Sequence, residues 1–214
     1  MSIKHDEERL FSDWSKDRVG FVRDGVVSEE QYRASRIKLA FILKEVNDLG
    51  GGGWDLREFV REGGRPQTWN NIARWVNGIL ARPDVRDWAF YETVDEQFRI
   101  DNLGGICVVN LKKSPGTHTT DYNSLKAVAM EDANYIASQF ALYDPDLTIC
   151  GGTGGLFKDV VGHSGFDWHQ TSRGIWWYQT ERGAPVIAYA HPEARVQSSL
   201  LHYGLIDAVN EICS

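Results

Sequence analysis

Three apolar stretches of this 214-residue chain stop on side chains that can move protons or read the edge of a ligand. Asn110 closes GICVVN, His191 closes PVIAYAH ahead of Pro192, and Glu45, Asn47 and Asp48 follow IKLAFILK. A carboxamide at a strand end can pair at two points with an amide-like edge, as side chains do with an extruded base. Asparagine also caps the turn after a strand. Histidine there can hydrogen-bond a developing anion or serve as an acid or base near neutral pH, or it can be a satisfied structural residue. A carboxylate from Glu45 or Asp48 can position water or steady a developing cation, and its alternative is a salt bridge to a nearby arginine. The loop after Asn110 carries Lys112, Ser114, Thr117 and His118, all groups that contact phosphate. The segment GGTGG, with Thr153, has the composition of a phosphate cradle but neither the GxxxxGK[ST] lysine nor GxGxxG spacing. Among the eight tryptophans, Trp54 and the pair Trp176 and Trp177 are placed to stack on a base. Trp69 and Trp75 fit a core.

Strands and helices must bring these residues together. Four runs read as strands: Ile37 to Glu45, Gly105 to Asn110, Leu147 to Thr153 and Pro185 to Pro192. A helical stripe with Thr68 as cap runs through Trp69, Ile72, Ala73, Val76, Ile79 and Leu80 to a stop at Pro83. Another runs from Tyr122 through Phe140, and a last one from Val196 through Ile212. Strands alternating with helices predict an α/β fold in three layers, α/β/α, around a central four-stranded parallel sheet. Parallel strands would collect Glu45, Asn47, Asn110, Thr153 and His191 along one sheet edge, where open α/β folds bind ligands. Gly50 to Gly53 form a flexible loop beside that edge. Residues 162–183 read as a long loop or short antiparallel excursion. Residues 1–35 read as a helix and loop packed on the main body.

The length predicts one domain over residues 1–214, since single cores grow to roughly 250 residues. No apolar run reaches the ~20 residues of a membrane span, and the charged start MSIKHDEERLF is unlike a signal peptide. A cytoplasmic protein without a membrane partner is expected. Cys107, Cys150 and Cys213 have no metal-binding or disulfide spacing, so no metal and no cofactor is expected. A net charge of −7 argues against broad non-specific nucleic-acid binding. It leaves room for a local basic face from Arg57, Arg61 and Arg65, Lys112 and Lys113, or Arg173, Arg182 and Arg195, each of which is as readily a solvated surface.

Taken together, FILKEVND, CVVN and YAHPEAR resemble the motifs of the uracil-DNA glycosylase superfamily, over about Phe21 to the C-terminus. The resemblance implies a monofunctional DNA glycosylase, monomeric and cofactor-free, that flips out a damaged or modified pyrimidine and leaves an abasic site. It implies that Asn110 reads the base, that His191 stabilises the departing base anion and that Glu45 handles the water, with Asn47 and Asp48 as alternatives. Trp54 would contact the base. Lys112, Ser114, Thr117, His118 and Thr153 would hold flanking phosphates, and Arg195 would wedge into the gap left by the flipped base. Val46 stands where the best-known branch carries its catalytic aspartate. Uracil is the default substrate and a hypermodified phage cytosine, such as glucosylated hydroxymethylcytosine in antiviral defence, its rival. A non-catalytic DNA- or nucleotide-binding module on the same fold is the alternative.

Overall fold

The computed structural model describes residues 2–117 and 119–213. Helix α1 (Ile3–Trp14), the short strand β1 (Gly25–Val26) and helix α2 (Glu29–Ala34) precede strand β2 (Leu39–Leu43). Helices α3 (Leu56–Arg61), α4 (Pro66–Ala81), α5 (Trp88–Glu92) and α6 (Glu96–Leu103) then lead to β3 (Ile106–Asn110). Helices α7 (Tyr122–Glu131) and α8 (Ala133–Tyr143) lead to β4 (Leu147–Gly151), and α9 (Gly154–Val160) to the hairpin β5 (His169–Gln170) and β6 (Trp176–Gln179). Strand β7 (Pro185–Tyr189) and helix α10 (Ser198–Ile212) follow.

The four apolar runs supply β2, β3, β4 and β7, which pair in parallel in the order β3-β2-β4-β7. Continuous rather than alternating hydrophobicity marks strands covered on both faces. Leu39, Phe41 and Leu43 of β2 pack into one core with Trp75 and Ile79 of α4 and with Leu205 and Val209 of α10. Ala40 and Ile42 face the other way, into a second core with Phe11 of α1, Ile136 of α8 and Phe157 of α9. Helices thus cover both sides of the sheet, and the N-terminal helix is part of the second core.

The sheet is larger than the sequence pattern indicates. Strand β1 joins β3 and the β5–β6 hairpin joins β7, all antiparallel, to give seven strands in the mixed order β1-β3-β2-β4-β7-β6-β5. These additions occupy the two edges of the parallel set, where unpaired backbone groups would otherwise lie open. Strands of two to four residues carry too little periodicity to be read in advance. Segment 162–183 is accordingly an antiparallel excursion, and Trp176 and Trp177 belong to it. Two helices also differ from expectation. Helix α4 starts at Pro66, whose missing N–H suits a first turn, and the stripe from Tyr122 to Phe140 breaks at Asp132. That residue leaves helical geometry (φ −89°, ψ 8°) while its carboxylate takes Arg18 at 2.6 Å. Among the described residues no helix is long and apolar enough to cross a membrane.

The order places the switch between crossovers on opposite faces at the β2–β4 boundary. The chain leaves β2 toward α4 on one face and leaves β4 toward α9 on the other. A crevice must open there between the diverging loops.

Candidate active site at the carboxyl ends of the parallel strands

The register aligns the strand ends that matter: Leu43 of β2 sits beside Asn110 of β3, and Gly151 of β4 beside Tyr189 of β7. Backbone bonds continue past the strands and hold the loops in step. Leu111 N–H donates to Leu43 O (3.0 Å), Lys112 N–H to Lys44 O (3.0 Å) and Gly116 N–H to Val46 O (2.9 Å). On the other side Gly152 N–H donates to Tyr189 O (2.8 Å). Between these laced loops lies a cavity of about 770 Å³, whose wall includes Glu45, Asn47, Asp48, Trp54, Asn110, Thr117, His191 and Arg195.

Asn110 is 3% exposed. Its backbone N–H donates to Asp24 Oδ2 at 2.7 Å, while among the described residues its carboxamide has no partner. Two donors and an acceptor therefore face the cavity from a fixed strand end. His191 Nδ1 lies 3.2 Å from the Glu193 N–H, which it accepts, so the ring proton resides on Nε2. Burial, then the charge of Lys44 and that of Arg65, hold the His191 pKa below its ordinary value against the pull of Glu193. Near neutral pH the ring is uncharged and presents one N–H donor.

The three residues after β2 have three different fates. Glu45 is the buried one, its side chain 5% exposed, and its Oε2 takes Lys112 Nζ at 2.6 Å. A Cβ on Gly116 would stand 2.3 Å from Glu45 Oε1, so any larger residue there would have to displace this carboxylate. Asn47 is exposed on the rim and bridges Gly116 through its backbone. Asp48 turns into its own loop: its carboxylate accepts from Gly50 N–H (2.7 Å), Gly52 N–H (2.9 Å) and Trp54 Nε1–H (2.8 Å). The Trp54 bond, then those of Gly50 and Gly52, hold the Asp48 pKa below the usual carboxylate range. The glycine loop is therefore held rather than loose. Gly52, at φ +78°, packs so closely on Gly20 that an added Cβ would be 2.1 Å from its carbonyl oxygen.

Several expected phosphate contacts lie elsewhere. Lys112 is the partner of Glu45 and no wall residue. Ser114 lines a separate small pocket with Arg18 and Asp132. Thr153 is 3% exposed and its hydroxyl donates to Ile42 O at 2.8 Å, tying α9 to β2. Thr117 does reach the cavity, and His118 lies outside the described residues. The basic clusters also disperse. Arg57 is buried against Glu7, Glu8 and Asp55, Lys113 is buried against Asp24, Arg173 pairs with Asp207 and Arg182 with Asp144. Trp176 and Trp177 are not part of the cavity wall, because antiparallel pairing on β7 carries them to the sheet edge.

Sequence reasoning missed one whole side of the site. Arg65 and Thr68 at the start of α4 both bind the carboxylate of Glu193, Arg65 Nη2 at 2.8 Å, and Trp69, Phe59 and Lys44 also line the wall. Desolvation would raise the Glu193 pKa, but the Thr68 bond and the charges of Arg65 and His191 outweigh it, and the carboxyl sits below its ordinary value. The available signal was Pro66. A crossover helix starts at the end of the sheet where its preceding strand stops, so a first-turn proline after β2 places its neighbours at this edge.

The wall thus combines a rigid carboxamide, a neutral imidazole N–H, a buried carboxylate and the two cations Lys44 and Arg195, neither of which has an ion-pair partner among the described residues. Such a set can grip a polar planar group, stabilise an anion leaving it and direct a water. No protein-family model matches the chain, and no curated protein matches it.

Proposed function

We propose that this protein is a monofunctional DNA glycosylase of the uracil-DNA glycosylase type, acting on a flipped pyrimidine bulkier than uracil. The observation that carries the reading is the convergence of Asn110, His191 and Glu45, from three separate strand ends, on one cavity. The Asn110 carboxamide pairs with the base edge. As the bond from C1′ to the base nitrogen lengthens, its electrons pass to the base and the His191 Nε2–H donates to the base oxygen that collects the charge. A neutral donor serves this step, since it stabilises an anion without first surrendering a proton. Glu45, oriented by Lys112, faces the cationic sugar and directs a water to C1′, whose proton it accepts. Lys44 and Arg195 take the phosphates, and extruding the nucleotide costs a few kcal/mol that these contacts offset.

The size of the cavity supports the bulkier substrate. Its volume lies in the range that holds whole drug-sized ligands, beyond the needs of a single pyrimidine ring. The same wall carries Arg65, Thr68 and Glu193 together with Trp54, Phe59 and Trp69, polar and aromatic groups that suit a hydroxyl-bearing substituent. A hypermodified cytosine of the kind phages carry, glucosylated hydroxymethylcytosine included, is the preferred substrate, and antiviral defence the setting.

The test is incubation of the protein with DNA containing uracil, hydroxymethylcytosine or glucosylated hydroxymethylcytosine, followed by assay for alkali-labile abasic sites. Release is expected from the glucosylated DNA, reduced about 10²–10³-fold in Asn110→Ala and in His191→Ala and strongly in Glu45→Gln. Release of uracil alone would overturn the enlarged substrate. Retained DNA binding with no release from any substrate would make the protein a non-catalytic binding module.

A further inference from the structure

Behind Asn110, on the side away from the cavity, three polar side chains from distant parts of the chain meet almost out of reach of water: Asp24 (0% exposed), Lys113 (3%) and Gln139 (0%). Asp24 Oδ1 accepts from Lys113 Nζ (2.7 Å) and Gln139 Nε2 (2.8 Å). Its Oδ2 accepts from Lys113 Nζ (2.8 Å) and from the backbone N–H of Asn110 (2.7 Å). Lys113 Nζ also donates to Gln139 Oε1 (2.8 Å), and Gln139 Nε2 to the Tyr143 hydroxyl (2.8 Å). Every side-chain nitrogen and oxygen of the trio has a partner.

Stability does not account for such a cluster. Burying an ion pair forfeits so much hydration that apolar residues of the same volume are often as stable or more so. What the cluster does supply is geometry. Strand β1 pairs with β3 only at Val108 and Cys107, so beyond it the Asn110 N–H would point into the protein without a ladder partner. The Asp24 carboxylate takes that place. Lys113 follows Asn110 by three residues, so one carboxylate grips both ends of the segment 110–113. Val22 N–H adds a bond to Lys113 O at 2.8 Å. The Asn110 carboxamide itself has no hydrogen-bond partner among the described residues, so no bond of its own holds it, and its placement rests on the packing around it and on where the backbone puts its Cα.

We propose that Asp24, held by Lys113 and Gln139, is the positioning residue that aims the Asn110 carboxamide into the cavity. The inference rests on the reading of Asn110 as the group that contacts the base. Misplacing a recognition group by an ångström is enough to cost a large factor in rate, which explains why a buried charge pair is kept here.

The experiment compares Asp24→Asn in the otherwise native chain with the same change in an Asn110→Ala background. Single-turnover excision, thermal unfolding and ¹⁵N-edited NMR of the Asn110 side-chain amide are read in each. Asp24→Asn should slow excision about tenfold or more in the native background and by no more than about twofold when Asn110 is already alanine. Its drop in Tm should be the same in both. Equal loss of rate in both backgrounds would make Asp24 a structural residue only and overturn the proposal. The NMR arm needs no substrate: the native Asn110 amide should give a single sharp pair of proton signals that broadens or splits in Asp24→Asn. An unchanged pair would overturn the proposal by itself. If the native protein releases no base from any DNA, the glycosylase reading fails and the NMR arm alone decides this one. Gln139→Met, which removes the three bonds of the Gln139 side chain and keeps the charge pair, is read in the same way if Asp24→Asn does not fold.

Discussion

Two polar clusters lie on opposite sides of Asn110 and follow opposite rules. On the cavity side the Asn110 carboxamide, the Lys44 ammonium and the Arg195 guanidinium have no partner among the described residues, and His191 uses one nitrogen of two. On the inner side every side-chain nitrogen and oxygen of Asp24, Lys113 and Gln139 has a hydrogen-bond partner. Unused capacity is tolerable where water or a ligand can reach it and expensive where neither can. The same strand end thus carries its holding bonds inward and its binding bonds outward. The contrast, carried by Asn110, His191, Lys44 and Arg195 and not by the paired Glu45, Asp48 and Glu193 of the same wall, supports the proposal that the cavity is a binding face.

The largest effect should come from breaking the inner cluster outright. Asp24→Ala leaves the Lys113 ammonium and the Asn110 N–H buried without their acceptor, and loss of about 3–5 kcal/mol of stability is expected. Urea unfolding measures it, and Lys113→Met added to Asp24→Ala should restore part of the loss by removing the stranded charge. A loss under about 1 kcal/mol would mean that water enters the cluster, and the contrast between the two sides would collapse.

The sequence disclosed the outward side far better than the inward one. Strands buried on both faces appear as unbroken apolar runs, and the polar residues that stop those runs, Asn110 at the end of β3 and His191 two residues past β7, are conspicuous for that reason. The parallel topology then follows from the intervening helical stripes and collects those ends on one edge. Nothing comparable marks the inner cluster. Asp24 reads as part of a turn, and Lys113 reads like its neighbour Lys112, yet their ion pair spans 89 positions. Lys112 and Lys113 have identical side chains and adjacent places, and the fold sends one to Glu45 and the other to Asp24. Pairings of this kind depend on loop paths. The same holds for Arg65 and Glu193, 128 positions apart. Short edge strands fail for a different reason, since two residues have no period.

His202 offers a sharper case, because it is buried like the inner cluster but unpartnered like the cavity wall. It is fully buried in α10, with neither ring nitrogen hydrogen-bonded among the described residues, its ring centroid 4.1 Å from that of Tyr91. Helix α4 approaches so closely that a Cβ on Gly78 would be 2.6 Å from the imidazole. Burial, aided by the charge of Arg74, pushes the His202 pKa down to about 4 from its ordinary 6.5. Because the folded-state value is the lower one, the unfolded chain takes up the proton first. Stability contributed by the neutral ring is complete above pH 6.5 and declines as pH falls toward 4, by on the order of 3 kcal/mol. Unfolding free energies at pH 7.5 and 4.5 should therefore differ less in His202→Leu than in the native protein. An equal difference in the two would show that the ring has a polar partner after all.

The smallest effect tests the line between the two rules at Thr153, which stands at the same sheet edge as the cavity residues but has its hydroxyl committed to Ile42 O. If that bond is the whole of its role, Thr153→Val removes one neutral buried hydrogen bond, keeps the shape, and should cost about 1 kcal/mol of stability. Excision or DNA binding should be unchanged, because no ligand group meets the hydroxyl. A phosphate contact would reverse the signature, weakening DNA binding while leaving Tm nearly alone. Position along the edge is common to Thr153 and His191. What separates them is that one has its hydrogen bond filled by the protein and the other keeps an N–H for something the protein does not supply.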